Sequence, residues 1–427
     1  MAQLRATDVF TPGAFPLHTY VERSDRNYED RLRDALEIRG QVVSISGPSK
    51  SGKTVLVERV VSKDNLITTT GAGITKPDDL WDRILDWMNV PIETSRFRTI
   101  EGDFSISGEV KGTASIPLLA KAEIGGGSEV GIGTSSEKGR TYRRRGMNQI
   151  VSEIADSDFV LLIDDFHYMP RPAQEEIAKQ IKEAVRLGVK IVTASVPHRS
   201  DDVVRANPEL RGRVMSIDLE YWDEGTLKAI ATLGFGLLKI VLDSATISDF
   251  VREAAGSPQL MQAICLNACF ELGIRETERN VSDCTPDMEQ RQNIFRRTAL
   301  ITDFRSLVDV LDSGPKTRGT ERREYTFSDK TKGDVYRCIL KAVSSDPPKL
   351  SYSYDEIQSR IRGICINDEP VGSSVIGSCL HMSKLAAERF PRERVIDWDE
   401  QKLVLDIPDP YLLFYLRWSG RLLEPEY

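Results

Sequence analysis

The chain has 427 residues, of which 57 are Lys or Arg and 65 are Asp or Glu, so its net charge is −8. This length predicts two or three domains with room for a substantial core, and the acidic balance does not indicate a protein whose main role is to bind nucleic acid. No run approaches the ~18 apolar residues of a membrane span and the first residues lack a secretory pattern, so we expect a cytoplasmic protein.

The first site element is a strand that leads into a glycine-rich loop and then a helix. Residues 41–46 are apolar and β-prone, residues 47–54 read GPSKSGKT, and the pattern after them is helical. In such a loop the glycines let backbone N–H groups face phosphate oxygens, Lys53 reaches the terminal phosphates, and Thr54 offers its hydroxyl to Mg²⁺. The helix adds its positive end. The alternative is a loop that no longer binds. The predicted nucleotide-binding residues here are Gly47, Pro48, Ser49, Lys50, Ser51, Gly52, Lys53, Thr54 and Val55.

Residues 104–132 alternate between apolar and polar side chains with a period of two. This pattern predicts an amphipathic β-hairpin, within an insertion that we place at residues 95–140. An isolated hairpin is marginal in water, so its apolar face needs a partner: the body of the chain, an identical hairpin or another protein, or a membrane. The face is rich in Gly and Ala, which argues against the membrane. Three arginines follow this segment: Arg143, Arg144 and Arg145. They are either a patch that binds phosphate or part of an exposed helical face.

Residues 158–169, DFVLLIDDFHYM, form the second candidate site segment. Their continuous apolar run predicts a parallel strand buried on both faces, and Asp164 ends it. In phosphoryl-transfer enzymes with a phosphate loop, this carboxylate supports Mg²⁺ and the next residue polarises the attacking water. We therefore predict Asp164 as a metal ligand and Asp165 as the catalytic carboxylate. Asp is one methylene shorter than the usual Glu, so we expect slow hydrolysis.

A third strand is predicted at residues 189–197, after a helical pattern that ends in Gly188. Strand, helix and strand in this order indicate a βαβ unit. Near the end of the strand, Thr193, Ser195 or both are candidates to sense the terminal phosphate. The alternative is that they are polar residues facing solvent.

The order of these segments resembles the STAND class of P-loop ATPases and the AAA+ ATPases of the origin-recognition type. TYVER at residues 19–23 is similar to a box that lies against the adenine in such proteins, and the double Asp is similar to the form common in STAND switches. Residues 256–258 are similar to the GxP element of the helical lid. The resemblance covers residues 15 to about 290. It implies nucleotide contacts at Tyr20, Arg23 and Pro258.

One further catalytic role comes from the same resemblance. In AAA+ relatives an arginine before the last core strand reaches the nucleotide of a neighbouring subunit. Arg213 is our candidate and Arg211 is close behind, because a guanidinium stays charged and grips phosphate oxygens in a planar fork. The alternative is a pair of surface arginines that cap a helix end.

The sequence of the second half of the chain predicts a lid and a winged helix. Residues 223–290 contain amphipathic helices, and the polar stretch 275–293 predicts a linker or exposed loop. From residue 334 three helical segments precede two short strands, which predicts a winged helix within residues 295–427. A DNA reader would place the third helix in the major groove. That helix has a thin basic face and the wing is acidic, so protein docking is at least as well supported as DNA binding.

The sequence therefore predicts an α/β protein with a three-layer P-loop NTPase core at residues 1–222, the β-hairpin insertion, a helical lid and a C-terminal winged-helix domain. We expect an ATP- and Mg²⁺-dependent switch that hydrolyses slowly, forms a homo-oligomer and engages a separate effector protein. The resemblance implies a role in prokaryotic antiviral defence or signalling. The alternative is a DNA-associated AAA+ ATPase, an initiator or mobile-element targeting factor that uses the winged helix. We expect no membrane partner.

Overall fold

The computed structural model describes residues 3–90, 93–96, 140–143, 146–196, 210–316, 322–390 and 395–423. The chain divides into two compact units. We call residues 29–46 and 57–217 the sheet unit, and residues 1–28, 47–56 and 218–427 the helical unit. The hairpin predicted at residues 104–132 lies outside the described residues.

Strands and helices alternate in the first half of the chain, and helices predominate in the second. Up to residue 218 the elements are α1 (Ala6–Val9), α2 (Tyr28–Glu37), β1 (Val42–Ser46), α3 (Lys53–Val60), β2 (Leu66–Thr70), α4 (Pro77–Trp87), β3 (Glu93–Arg96), β4 (Arg140–Arg143), α5 (Met147–Ile154), β5 (Val160–Asp164), α6 (Arg171–Arg186), β6 (Lys190–Ser195) and β7 (Val214–Asp218). Beyond it they are α7 (Glu224–Leu237), β8 (Ile240–Val241), α8 (Ser244–Glu253), α9 (Pro258–Glu271), β9 (Ser282–Asp283), α10 (Met288–Ala299), α11 (Arg305–Ser313), β10 (Tyr325–Phe327), β11 (Lys332–Gly333), α12 (Val335–Ser344), β12 (Ser351–Ser353), α13 (Tyr354–Ile364), β13 (Cys365–Ile366), α14 (Gly372–Arg389), β14 (Asp397–Asp399), β15 (Val404–Asp406) and α15 (Pro410–Trp418). Short 3₁₀ turns lie at Lys63–Asn65, Phe166–Tyr168 and Arg421–Leu423.

The sheet unit is built on five strands in the order β2-β5-β6-β1-β7. The pairs β2–β5, β5–β6 and β6–β1 are parallel. Every residue of β1 is buried, and so are the first four of β5, as expected for parallel strands covered on both faces. Helices α4, α5 and α6 share one hydrophobic core with β1, β2, β5 and β6. The predicted α/β core is therefore confirmed.

Two short strands bracket the predicted insertion. Strands β3 and β4 pair antiparallel, with Glu93 opposite Arg143 and Arg96 opposite Arg140. The chain therefore enters and leaves the intervening segment at neighbouring positions.

A single hydrophobic core runs through the helical unit, from Ala6 on α1 to Leu422 near the C-terminus, and it includes the lid helices α7, α8 and α9. A buried ion pair joins the lid to the last helix: the Arg417 guanidinium lies 2.7 Å from the Glu253 carboxylate, and both side chains are less than a tenth exposed. The indole of Trp418 donates a second bond of 2.7 Å to the same carboxylate. The helices of the segment predicted as a lid and the C-terminal helices therefore pack as one body.

The polar stretch predicted as a linker is shorter than expected. Residues 288–293 form the first half of α10, so the prediction of an irregular segment through residue 293 is wrong there. A capping box between Asp287 and Gln290 starts the helix, and Ile294 and Phe295 bury its apolar side. Local polarity was misleading because the polar positions of this helix are its solvent-facing ones.

The elements predicted for the C-terminal domain are present. Helices α12, α13 and α14 are accompanied by the antiparallel strands β14 and β15, which form the predicted hairpin. Strand β12, which the sequence did not predict, pairs with β15 and completes a three-stranded sheet. Among the described residues no helix is long and apolar enough to cross a membrane.

Candidate functional site

Residues 47–54 form a tight loop whose backbone depends on its glycines. Gly52 has φ +95°, in the region that side chains rarely adopt, and Lys50 has φ +62°. A Cβ on Gly47 would lie 2.8 Å from Cβ of Leu219, so only glycine fits beside that residue. The residues predicted to leave backbone room for phosphate are therefore needed for the shape of the loop itself.

Lys53 is the first residue of α3, and its side chain folds back over the loop. Its Nζ donates to the carbonyl oxygens of Gly47 and Pro48, each at 2.8 Å. Thr54 follows in the first turn, and the first turn contains no acidic residue. The partial positive charge of the helix end and the ammonium group thus act at the same loop, an arrangement suited to binding an anion.

Two side chains hold the loop from outside. The indole Nε1 of Trp222 donates to the Ser51 carbonyl at 2.9 Å, and the Ser257 hydroxyl donates to the Lys50 carbonyl at 3.4 Å. Ser257 is also the N-cap of α9, where it accepts a bond from the Leu260 N–H. Pro258, the predicted nucleotide contact, is the first residue of that helix and directly follows Ser257.

Arg23, predicted to lie against the adenine, is buried between two aromatic rings. Its guanidinium lies 4.5 Å from the ring centre of Tyr28 and 5.0 Å from that of Trp222, and it donates to the Glu220 carbonyl at 3.0 Å. Only 8% of the residue is exposed. The ring of Tyr20 stacks on Phe15, 5.9 Å between centres. The structure thus gives Arg23 a packing role through Trp222, whatever contacts a nucleotide adds.

The start of the last helix also faces the phosphate loop. Asp409 caps α15 by accepting a bond of 2.9 Å from the Tyr411 N–H. Burial raises the pKa of Asp409 above its usual range, while the Tyr411 N–H and the charge of Lys50 act in the opposite direction. The loop of the helical unit therefore lies within electrostatic reach of the C-terminal domain.

The sheet unit carries the other predicted site residues along the carboxyl ends of its strands. Thr70 of β2 pairs with Asp164 of β5, and Ser46 of β1 pairs with Ser195 of β6. We call this row, with Asp165, the carboxyl edge. The Asp164 carboxylate accepts a bond of 2.9 Å from the Asp165 N–H. Mg²⁺ prefers hard oxygen ligands, and the Asp164 carboxylate at this edge is of that type.

The two candidate phosphate sensors on β6 differ in their surroundings. Thr193 is buried, and its hydroxyl donates back to the Val43 carbonyl at the 3.5 Å limit of a hydrogen bond. Ser195 is 5% exposed, and its hydroxyl has no hydrogen-bond partner among the described residues. A buried hydroxyl is normally satisfied, so Ser195 differs from Thr193 in having hydrogen-bonding capacity left over among the described residues.

Asp165 begins a tight turn directly after the strand. Its φ is +53°, in the left-handed region, where Asp and Asn are enriched several-fold over other non-glycine residues. Gly71, just beyond β2, donates its N–H to the Asp164 carbonyl at 2.7 Å. A Cβ on Gly71 would lie 2.4 Å from the Asp165 carbonyl oxygen. The position of Asp165 thus depends on a glycine on the neighbouring strand end.

We expect Gly71→Ala to lower the free energy of unfolding by roughly 1–3 kcal/mol, because the added methyl group pushes on the backbone of Asp165. We also expect it to reduce ATP hydrolysis more than ATP binding. Urea unfolding and a phosphate-release assay measure the two effects. The matched control is Gly236→Ala on α7, where the methyl group meets nothing within 4 Å and alanine favours the helix. Equal stability of both variants would contradict the expectation.

Arg213 lies at the opposite edge of the sheet from Asp164. Its carbonyl accepts the Val42 N–H at 2.9 Å, at the amino end of β1, and its side chain is exposed. Five strand residues span about 16 Å, so Arg213 is far from the carboxyl edge of its own sheet. Arg211 is exposed as well, in the same turn before β7. A phosphate-binding role for either arginine therefore requires the site of another copy.

No protein-family model and no curated protein sequence matches this chain. Similar solved structures include a Walker-type ATPase of Pyrococcus abyssi, which is 14% identical over 94% of this chain and 99% of that chain with a TM-score of 0.47. The ORC1 protein of Aeropyrum pernix in complex with DNA is 11% identical over 98% and 97%, with a TM-score of 0.46. The Cdc6p protein of Pyrobaculum aerophilum is 11% identical over 99% of each chain, with a TM-score of 0.42. The evidence for the fold is the strand order and the loop described above.

Two residues that shape the site were not predicted, Gly71 and Trp222, and Ser257 was included only as part of residues 256–258, without a role of its own. Ser257 had a visible signal, because a serine immediately before a proline is a common start of a helix. No sequence signal marks Gly71 or Trp222, because each contacts a residue that is remote in sequence.

Proposed function

We propose that this protein binds and slowly hydrolyses ATP, and that its nucleotide state controls self-assembly. The observation that carries the proposal is the loop at residues 47–54, where the Lys53 ammonium is held 2.8 Å from two loop carbonyls at the start of α3. In a nucleotide complex, phosphate oxygens would replace these carbonyls as acceptors, because an ammonium group bonds more strongly to a charged oxygen. The positive φ of Gly52 keeps the backbone curled around the same point.

In the proposed mechanism each residue has one task. The loop N–H groups and Lys53 bind the phosphates, and the Thr54 hydroxyl and the Asp164 carboxylate would hold Mg²⁺. Magnesium supplies charge neutralisation for phosphoryl transfer when it is bound. Asp165 orients the attacking water, and the buried hydroxyl of Ser195 binds an oxygen of the terminal phosphate. Tyr20 and Pro258 line the nucleotide, and Arg23 supports it through Trp222.

The position of Arg213 supports the proposed self-assembly. Because Arg213 and Asp164 lie at opposite edges of one sheet, the arginine can complete only the site of a neighbouring copy. A head-to-tail contact of this kind repeats from copy to copy and produces rings or filaments. We further propose that the assembled form engages a separate effector protein, as in a defence or signalling switch.

The alternative function is ATP-dependent DNA binding through the C-terminal domain, which the element order α12, β12, α13, α14, β15 of a winged helix would permit. Helix α14 carries two exposed basic residues, Lys384 and Arg389, beside the acidic Glu388. The nearby hairpin carries Asp397 and Asp399. Phosphate contacts dominate the affinity of DNA-binding proteins, so this charge balance favours a protein partner.

The test measures particle mass by light scattering and released phosphate, with ATP and Mg²⁺, with ADP, and without nucleotide. We expect a larger particle with ATP only, and slow phosphate release. An unchanged mass in all three states would contradict the switch. Adding a labelled DNA duplex at about 50 and 200 mM salt separates the alternative, because DNA binding would weaken steeply with salt.

A further inference from the structure

Three contacts hold Trp222 in place inside the helical unit. Its Nε1 donates to the Ser51 carbonyl at 2.9 Å, and its backbone N–H donates to the Gly256 carbonyl at 3.1 Å. The Arg23 guanidinium packs on the ring, 5.0 Å from its centre. Trp222 therefore joins the phosphate loop to the segment at residues 256–257 that begins the lid helix α9.

The bond to Ser51 has a consequence for the side of the loop that faces a ligand. In a planar trans peptide the C=O and the next N–H point in opposite directions. When Trp222 holds the Ser51 carbonyl outward, the Gly52 N–H points to the concave side, where phosphate oxygens bind such loops. Ser257 holds the preceding carbonyl, that of Lys50, at 3.4 Å, while the Ser51 N–H of the same peptide group donates to the Pro48 carbonyl at 3.3 Å.

We propose that Trp222 is a positioning residue for nucleotide binding, which orients the peptide group between Ser51 and Gly52 and thereby makes phosphate affinity depend on the start of the lid. Ser257 holds the preceding carbonyl, that of Lys50, and so links the same loop to the start of α9. The inference rests on the proposed ATP binding. Because coupling between two sites is reciprocal, a nucleotide in the loop also stabilises the position of the segment 222–257.

The decisive variant is Trp222→Phe, which removes the Nε1 donor and keeps a flat ring for Arg23. We expect the dissociation constant for N-methylanthraniloyl-ATP to rise roughly fivefold to tenfold, as for the loss of one hydrogen bond, with a smaller drop in melting temperature than in the control variant. The matched control is Trp418→Phe, which loses an indole bond to buried Glu253 in the same unit. It should lower the melting temperature and leave the dissociation constant unchanged.

The outcomes separate this inference from the function on which it rests. Equal affinities of the wild type and Trp222→Phe would overturn the inference and leave nucleotide binding intact. The inference would also be overturned if Trp418→Phe lost as much affinity as Trp222→Phe at a similar drop in melting temperature. The loss of affinity would then come from a general loss of stability. If the wild type bound no nucleotide, both the proposed function and the inference would fail.

Discussion

Replacing Lys53 with alanine should reduce ATP affinity by roughly 100-fold, because charge-assisted hydrogen bonds are each worth about 1.5–3 kcal/mol and every 1.4 kcal/mol is a factor of ten. The fold should survive the change. The loop keeps the positive φ of Gly52 and the Trp222 bond to Ser51, and neither involves the ammonium group. Isothermal titration with ATP and Mg²⁺, alongside a melting curve, measures both quantities.

The control is the other lysine of the loop. Lys50 is exposed, has φ +62°, and interacts electrostatically with Asp409. Lys50→Asn removes its charge while keeping a residue that tolerates this backbone conformation. We expect at most a severalfold change in affinity. If Lys50→Asn weakened binding as much as Lys53→Ala, general attraction by positive charge would explain the loss, and the specific role of Lys53 would be wrong.

Light scattering extends the same comparison to assembly. Since the proposed switch needs bound ATP, Lys53→Ala should stay at the particle mass of the nucleotide-free wild type when ATP is added, while Lys50→Asn should assemble. Assembly of Lys53→Ala at saturating ATP would separate self-association from the nucleotide and contradict the switch.

The fold was predictable where burial leaves a continuous mark on the sequence. Parallel strands covered on both faces appear as apolar runs, and β1, β5 and β6 were predicted in this way. The strand order β2-β5-β6-β1-β7 was not, because the pairing of strands depends on contacts remote in sequence. The start of α10 at Met288 was missed for a different reason, since its polar residues are solvent-facing helix positions.

The residues of the site were also predictable only where they lie close together in the sequence. The loop at residues 47–54 is contiguous, so its residue types and spacing define it. Trp222 acts on a residue 171 positions away, and Ser257 on one 207 positions away, and no local pattern carries such contacts. Arg23 shows the converse: the pattern singled out this arginine, but it did not predict that the side chain packs between the rings of Tyr28 and Trp222.

The identity of residue 165 has a structural reason. With φ +53° at this position, a short polar side chain is favoured, because Asp and Asn occupy the left-handed region more readily than Glu. The usual glutamate would therefore cost backbone strain here. The turn after β5, which packs against Gly71, thus constrains residue 165 to a short polar side chain.

The two carboxylates should separate binding from hydrolysis. Asp165→Asn keeps the turn and removes the charge, so we expect phosphate release to fall by about 100-fold or more, as for the loss of general-base assistance, with ATP affinity unchanged. Asp164→Asn can still accept the bond from the Asp165 N–H. It should weaken Mg²⁺-dependent ATP binding by about tenfold and leave Mg²⁺-free ADP binding intact, because it removes a charged metal ligand. Single-turnover phosphate release and nucleotide titrations with and without Mg²⁺ measure these effects. If Asp165→Asn hydrolysed ATP at the wild-type rate, another group would have to orient the water, and the slow rate expected of this protein would need a different cause.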